Sequence, residues 1–388
     1  MILAVLTILL AGSLAYCVLV ALAARSLWKR CAPPLRVPVK ISILKPLRGD
    51  EAGLADNLRS YMRQDYPAGY EVLFGVDTAD DAARPIAEQV CREFPGVDAR
   101  CVVTGQGTYT NPKEYSLEQL AAAARYDLWV LSDSDIRVTP EFLRTVAAEF
   151  EDPGLGLETC PYRGVPGRSF WSTLEAIGMN TEFMPGVMVA RLIEGMNFAV
   201  GPTIVVRRAV IEAIGGFRSV ADYYIDDFLL GRYAHEKGFG VEMSSYVIEH
   251  HIGAMRFWPS VRHRVMWLRG TRRSRPSGYF GQVFTYTIPI ALLLLAAAPG
   301  WWPAVAAAFL LRYLSAWAVA RGVLRDPLTR RLWFLIPLQD VTSFLFYLIA
   351  FFGNRIRWRG RPMVLCRDGR LAPPRAAGGV AEAAGERG

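Results

Sequence analysis

The chain opens on an unbroken apolar run, ILAVLTILLAGSLAYCVLVALAA, with no charged residue before Arg25. Its length matches the roughly 20 residues that a helix needs to cross a hydrocarbon core. Ala21-Leu22-Ala23 resembles a signal-peptide cleavage site, yet no basic residue precedes the run, whereas Arg25, Lys29 and Arg30 follow it. That asymmetry favours an uncleaved anchor with its C-terminal side in the cytoplasm. Apolar residues thicken again at 284–298, 301–320 and 332–352, the first two divided by Pro299-Gly300 as in a hairpin of two spans. Arg321, Arg325, Arg330 and Arg331 then mark a cytoplasmic side between the second and third stretches. Arg355, Arg357, Arg359 and Arg361 break that rule if all three cross, so one of them reads as re-entrant or interfacial.

Between the apolar ends, strand-like and helix-like patterns alternate. After a linker at residues 33–38, KISILKP is followed by a helix pattern over 54–63, and EVLFGVD by one over about 82–93. RCVVTG precedes a helix over 116–124, and DLWVLSD precedes one over 140–150. Such alternation predicts an α/β domain with a doubly wound, mostly parallel sheet. Ligands of such sheets bind beyond the carboxyl ends of the strands. Asp77 ends one strand, and Asp133 and Asp135 end another, which brings three carboxylates to the ligand-binding edge.

Composition adds the partners. Forty-four Lys and Arg against 36 Asp and Glu give a net charge of +8. Much of the excess sits beside the apolar segments, in RHRVMWLRGTRRSR and NRIRWRGR, a pattern suited to anionic lipid head groups rather than nucleic acid. The six cysteines form no CxxC pair, so neither a disulfide framework nor a zinc site is indicated, and reduced thiols in a cytoplasmic domain are expected.

The stretch VLSDSDIRV ends an apolar strand on two acids one residue apart. Asp133 and Asp135 could both approach one hard divalent cation, Mg2+ or Mn2+, sharing it with a substrate diphosphate. A solvated turn is the other reading, since Asp is common in turns. Asp226 and Asp227 open an apolar helix, where the helix dipole favours acids. The functional alternative makes one of them a general base for an acceptor hydroxyl.

Taken in order, Asp77 with Asp80-Asp81, Asn111-Pro112-Lys113, SDSDIRV, Gly215-Gly216-Phe217 and Asp226-Asp227 resemble the nucleotide-sugar transferases of glycosyltransferase family 2 architecture. More narrowly, KPLRG, TNPK, SDSDIRVTP, ADYYIDDF and WRGR resemble the ceramide glucosyltransferases of glycosyltransferase family 21, over roughly residues 39–361. The resemblance implies a GT-A fold, a UDP-sugar donor, a membrane-lipid acceptor and inversion at the anomeric carbon. By motif, Asp77 would contact the uridine, Asp80 would belong to the same nucleotide-binding stretch, and Asp133 and Asp135 would hold metal and diphosphate. Asp227 would be the base. Lys113 reads equally as a phosphate contact or a solvated loop lysine.

The family's (Q/R)xxRW motif is altered. Its best match is His263-Arg264-Val265-Met266-Trp267, with Met266 in place of the arginine. His263, Arg264 and Trp267, with Asp226, are the candidates for the acceptor and diphosphate side. The same stretch reads independently as a basic amphipathic helix on the membrane surface. Glu182, in GMNTEFMPGVMVA, and Trp171 read either as residues lining a path for an acyl chain or as core packing.

The expected organisation is a transmembrane anchor at 1–24 and a GT-A catalytic domain at 39–255. A basic interfacial segment at 256–279, membrane segments at 280–353 and a basic, then disordered tail at 354–388 follow. The expected protein is an integral membrane enzyme, its catalytic domain cytoplasmic, in a bacterial inner membrane. The expected reaction moves glucose from UDP-glucose to ceramide. Transfer of N-acetylglucosamine to a hopanoid polyol is the alternative within the enzyme class, and a non-catalytic lipid- or nucleotide-binding protein is the alternative outside it.

Overall fold

The computed structural model of the protein describes residues 1–28, 30–358 and 361–374. Lys29, Arg359 and the part of the expected disordered tail beyond residue 374 lie outside the described residues.

The uncharged opening run forms helix α1 (Ile2–Trp28), which buries Val20, Ala23 and Ala24 and exposes Ile2, Ile8 and Leu22. The alternating patterns then fold as β1 (Ile41–Leu47), α2 (Leu54–Met62), β2 (Tyr70–Val76), α3 (Ala83–Glu93), β3 (Asp98–Val103), α4 (Pro112–Ala123) and β4 (Leu128–Ser132). β1, β2 and β4 are buried along nearly their whole length, as parallel strands covered on both faces must be. Helix α4 starts at Pro112, ahead of the expected 116. Asn111 accepts a hydrogen bond from the Lys113 amide, and Pro112 fills the first helical position, where its missing N–H costs nothing.

The chain continues through β5 (Ile136–Arg137), α5 (Phe142–Glu149), β6 (Leu155–Thr159), β7 (Tyr162–Pro166), α6 (Phe170–Gly178), a π-helical turn at Met179–Phe183, and α7 (Met184–Glu194). Then come β8 (Thr203–Arg207), α8 (Arg208–Ala213), α9 (Asp226–Glu236), β9 (Gly240–Met243) and β10 (Ile248–Ile252). The main sheet runs β3-β2-β1-β4-β8-β6-β9. Its first four strands are parallel, β8 is antiparallel to both neighbours, and β9 pairs parallel with β6. A second sheet, β5-β10-β7, sets β10 antiparallel to the short strand that follows the Asp-Ser-Asp turn, with His250 opposite Ile136.

The C-terminal part comprises α10 (Phe257–Ser274), α11 (Pro276–Gly281), α12 (Thr287–Ala297), α13 (Trp302–Gly322), α14 (Pro327–Leu332) and α15 (Ile336–Ala350). Among the described residues, three helical stretches are long and apolar enough to cross a membrane: Ile2–Trp28, Pro299–Gly322 and Pro327–Ala350. A further pair, Pro276–Thr285 with Thr287–Ala297, is bent by 60°. α1 packs on α12 and α13, whereas α15 packs along α10 and α6. Arg312 of α13 and Asp340 of α15 form a buried two-pronged ion pair, both contacts 2.7 Å. Beyond α15, β11 (Arg355–Trp358), β12 (Arg361–Leu365) and β13 (Leu371–Ala372) form a small antiparallel sheet where a basic, then disordered tail was expected. It docks on the loop before α9, through Tyr224 N to Gly369 O and Leu371 N to Asp222 O.

Candidate active site

A cavity of about 540 Å3 lies beyond the carboxyl ends of β1, β2 and β4. Asp77, one residue past β2, and Asp133 and Asp135, one and three past β4, line it from the sheet. Asp226 and Asp227 line it from the first turn of α9, where the helix dipole favours their charge. Lys113, from the first turn of α4, completes this acidic wall, its Nζ 2.7 Å from Asp133 Oδ1. Asn111, whose side-chain oxygen caps α4, also donates its amide to Asp226 Oδ2 at 3.2 Å. Asp80 is exposed and does not line the cavity. Its neighbour Asp81 accepts from the Gly49 and Ala83 amides and so braces the loop after β1.

The acids are differentiated by their surroundings. Burial and the neighbouring Asp135 raise Asp133, with Lys113 opposing the shift. Burial alone would raise Asp135 too, but His250 Nε2, 2.9 Å from Asp135 Oδ2, brings it below the usual carboxylate range. Burial and Asp226 push Asp227 up to about 7. Glu114, buried beside Asp226, is raised well above its ordinary value, first by burial and then by that neighbour. Lys113 would be lowered by burial, but Asp133 and Asp226 hold it protonated. Gly201 lets Asp227 approach the backbone, since a Cβ there would lie 2.7 Å from Asp227 Oδ2.

Two residues that the sequence did not single out complete this region. His250 arrives on β10, whose pairing with β5 sets it beside Asp135. Lys45 is fully buried under the Asp-Ser-Asp turn and donates to Asp133 O at 2.6 Å, its ammonium 3.9 Å from the Tyr61 ring centroid. Desolvation brings its pKa down to about 7 against the pull of Asp133 and Asp135. The sequence offered signals for both: a charged residue in an otherwise apolar strand, and a histidine pair in IEHHI.

The opposite wall carries the altered motif. His263, Met266 and Trp267 of α10 line the cavity. His263 Nδ1 lies 2.8 Å from Glu175 Oε1, and its ring centroid is 4.7 Å from that of Trp267. Glu175, which burial would raise, is held below its ordinary value by that histidine. Arg264 turns the other way, 3.5 Å from Glu182 and hydrogen bonded to Ser343. Glu182 and Trp171 do not line this cavity, and Glu182 accepts from Gln339 and Gln282 instead. Trp358 from the C-terminal sheet closes the wall edge-on to Tyr224, with ring centroids 5.0 Å apart.

Among the described residues, no group of three or more His, Cys, Asp or Glu side chains is arranged to hold a metal by itself. The Asp-Ser-Asp turn nonetheless suits a hard cation shared with a substrate. Asp135 Oδ1 is buried with no hydrogen-bond partner among the described residues, and Asp133 already draws a cation, Lys113. Mg2+ and Mn2+ sites of this kind rely on one or two carboxylates plus phosphate oxygens.

Comparison with known proteins matches residues 5–371 to the family model described as glycosyl transferase family 21. The chain is 22% identical to ceramide glucosyltransferase 1 of Caenorhabditis elegans over 208 residues, which is 53% of this chain and 44% of that protein. It is 31% identical to the ceramide glucosyltransferase of Komagataella phaffii over 103 residues, 25% of this chain and 20% of that protein. The matches thus span less than half the length of either relative. Among solved structures, a mannosyltransferase from Pyrobaculum calidifontis in complex with GDP-Man and Mn2+ superposes with a TM-score of 0.51 at 18% identity. It covers 90% of this chain and 99% of its own, which establishes a common GT-A fold.

Proposed function

The chain belongs to glycosyl transferase family 21, and on that premise we propose that it transfers a hexose, glucose first among candidates, from a UDP-sugar to the primary hydroxyl of a membrane lipid such as ceramide. The observation that carries this reading is one cavity joining Asp133 and Asp135 to Asp227, a carboxyl pushed up to about 7.

In this reading Asp77 holds the uridine and Lys113 meets the diphosphate. Mg2+ or Mn2+ bound by Asp133 and Asp135 would offset the negative charge gathering on the leaving diphosphate. His250 fixes the orientation of Asp135. Asp227 takes the proton of the lipid hydroxyl as its oxygen bonds the anomeric carbon. The bond from that carbon to the diphosphate breaks on the opposite face, releasing UDP and inverting the configuration. A base with a pKa near the working pH accepts the proton while staying partly ionised. Apolar helices keep the site at head-group level, where a lipid acceptor arrives already oriented. By the positive-inside asymmetry around α1, the α/β domain faces the cytoplasm.

The test is transfer of label from UDP-glucose and UDP-N-acetylglucosamine to ceramide and to bacteriohopanetetrol, in membranes containing this protein. Product that disappears with chelator and with Asp227→Asn supports the proposal. Label on the hopanoid alone would change the acceptor and keep the chemistry. Absence of lipid product from a protein that still binds UDP would overturn it in favour of a non-catalytic binding role.

A further inference from the structure

Helices α6, α10 and α15 meet at a second, much smaller crevice, lined by Glu175, Ser260, Arg264 and Gln339 and walled by Trp171 and Phe346. It adjoins the main cavity at Glu175, which lines both. Its volume is about 10 Å3, room for about one polar atom and far too little for an acyl chain. The outer side of α15 nearby exposes Leu338, Leu345 and Ile349, an apolar surface suited to lipid chains.

Gln339 is 1% exposed, and its amide has a fixed orientation. Nε2 donates to Glu182 Oε2 and to Ser343 Oγ, both at 2.7 Å. Turning the amide over would set Oε1 against the Glu182 carboxylate, which offers no proton when ionised. Oε1 is therefore left on the other side, and it has no hydrogen-bond partner among the described residues. A buried carbonyl without a donor is unfavourable, so this position calls for an N–H or O–H from outside. Room for the Gln339 and Arg264 ends comes from Gly178, where a Cβ would meet Gln339 Nε2 at 2.6 Å and Arg264 Nη1 at 2.8 Å.

We propose that Gln339 Oε1 reads a hydrogen-bond donor of the acceptor lipid next to its reacting hydroxyl, either a secondary amide N–H or a further hydroxyl. The inference rests on the lipid-transferase reading above and narrows it. Diacylglycerol has one O–H, the reacting one, and its ester groups only accept, so it leaves Gln339 Oε1 unpaired. Sphingoid amides and polyol lipids each supply the missing donor. Gln339 acts here as a specificity-determining residue and touches no reacting atom.

The experiment uses the full-length protein in nanodiscs with ceramide, N-methyl ceramide, 3-deoxy ceramide, bacteriohopanetetrol and diacylglycerol. For the wild type, kcat/KM with a donor-bearing lipid should exceed that with diacylglycerol by about tenfold or more, the scale of one buried hydrogen bond. Whichever of the N-methyl and 3-deoxy lipids loses the advantage identifies the donor. Gln339→Leu should raise KM for the preferred lipid and erase the discrimination, leaving the KM for UDP-sugar unchanged. Gln339→Met, which keeps a side chain of similar length but offers no carbonyl acceptor, should weaken the same lipid and covers the case in which Gln339→Leu misfolds. Native mass spectrometry of lipid retention without UDP-sugar reads the same selectivity independently of turnover. Selective retention without transfer would sustain this inference and sink the transferase reading. Discrimination that persists in Gln339→Leu, or equal handling of diacylglycerol by the wild type, would overturn the inference.

Discussion

Lys113 and Asp133 form an ion pair, 2.7 Å from Nζ to Oδ1, across the wall that would receive a sugar nucleotide. The first acid of the Asp-Ser-Asp turn thus carries a cation supplied by the chain itself. The lysine is delivered by a helix whose cap, Asn111, also holds Asp226. Cap, cation and both acidic motifs are therefore tied together by direct contacts.

Replacing Lys113 by Met should raise the KM for UDP-sugar by about tenfold or more, the scale of a lost charge-assisted hydrogen bond. The KM for lipid should stay near the wild-type value. Steady-state kinetics with each substrate varied in turn distinguishes this from a general loss of folded enzyme.

Asp227→Asn should lower kcat by about 100- to 10,000-fold, the range for a general base, while UDP binding by calorimetry is retained. In the wild type, kcat/KM should climb with pH through about 7 and then level, because the protonated carboxyl cannot accept a proton.

The same shift has a stability consequence. The folded pKa of Asp227, about 7, lies above the unfolded value of about 3.9. Protonation therefore favours the fold, and this contribution is complete below about pH 4 and lost as pH rises through about 7. Asp227→Asn lacks the penalty, so the difference in Tm between variant and wild type should grow in favour of the variant across that window. A constant difference would contradict the assignment.

Gly201→Ala should leave the protein folded and cut kcat by about 10- to 100-fold, because the new methyl displaces the Asp227 carboxyl. Unchanged kcat would show that Asp227 works from another position.

Arg312→Leu or Asp340→Leu alone strands a buried charge and should destabilise the helical part by about 3–5 kcal/mol. The double replacement should recover most of the loss. Thermal unfolding in a mild detergent reads all three.

The sheet core was legible because its strands must be apolar on both faces and its helices on one, periods that survive in KISILKP, EVLFGVD and DLWVLSD. Helix α4 starts at Pro112 rather than at 116 because Asn111 caps it and Pro112 fills its first position, a local signal present in the sequence. Arg264 was expected beside the diphosphate and instead faces Glu182 and Ser343. Neighbouring residues on a helix point about 100° apart, and that turn puts Arg264 on the side of α10 that packs against α15.

The sequence alone determined which strands end in carboxylates, that apolar helices flank the α/β domain, and which family the motifs resemble. These are properties of single segments, written in local periodicity and in short ordered motifs. Only the tertiary structure decided that His250 faces Asp135, that Trp358 returns to Tyr224, and that Gln339 meets Glu182. Each joins segments over a hundred residues apart. Such contacts are fixed by strand pairing and helix packing, which no single segment encodes.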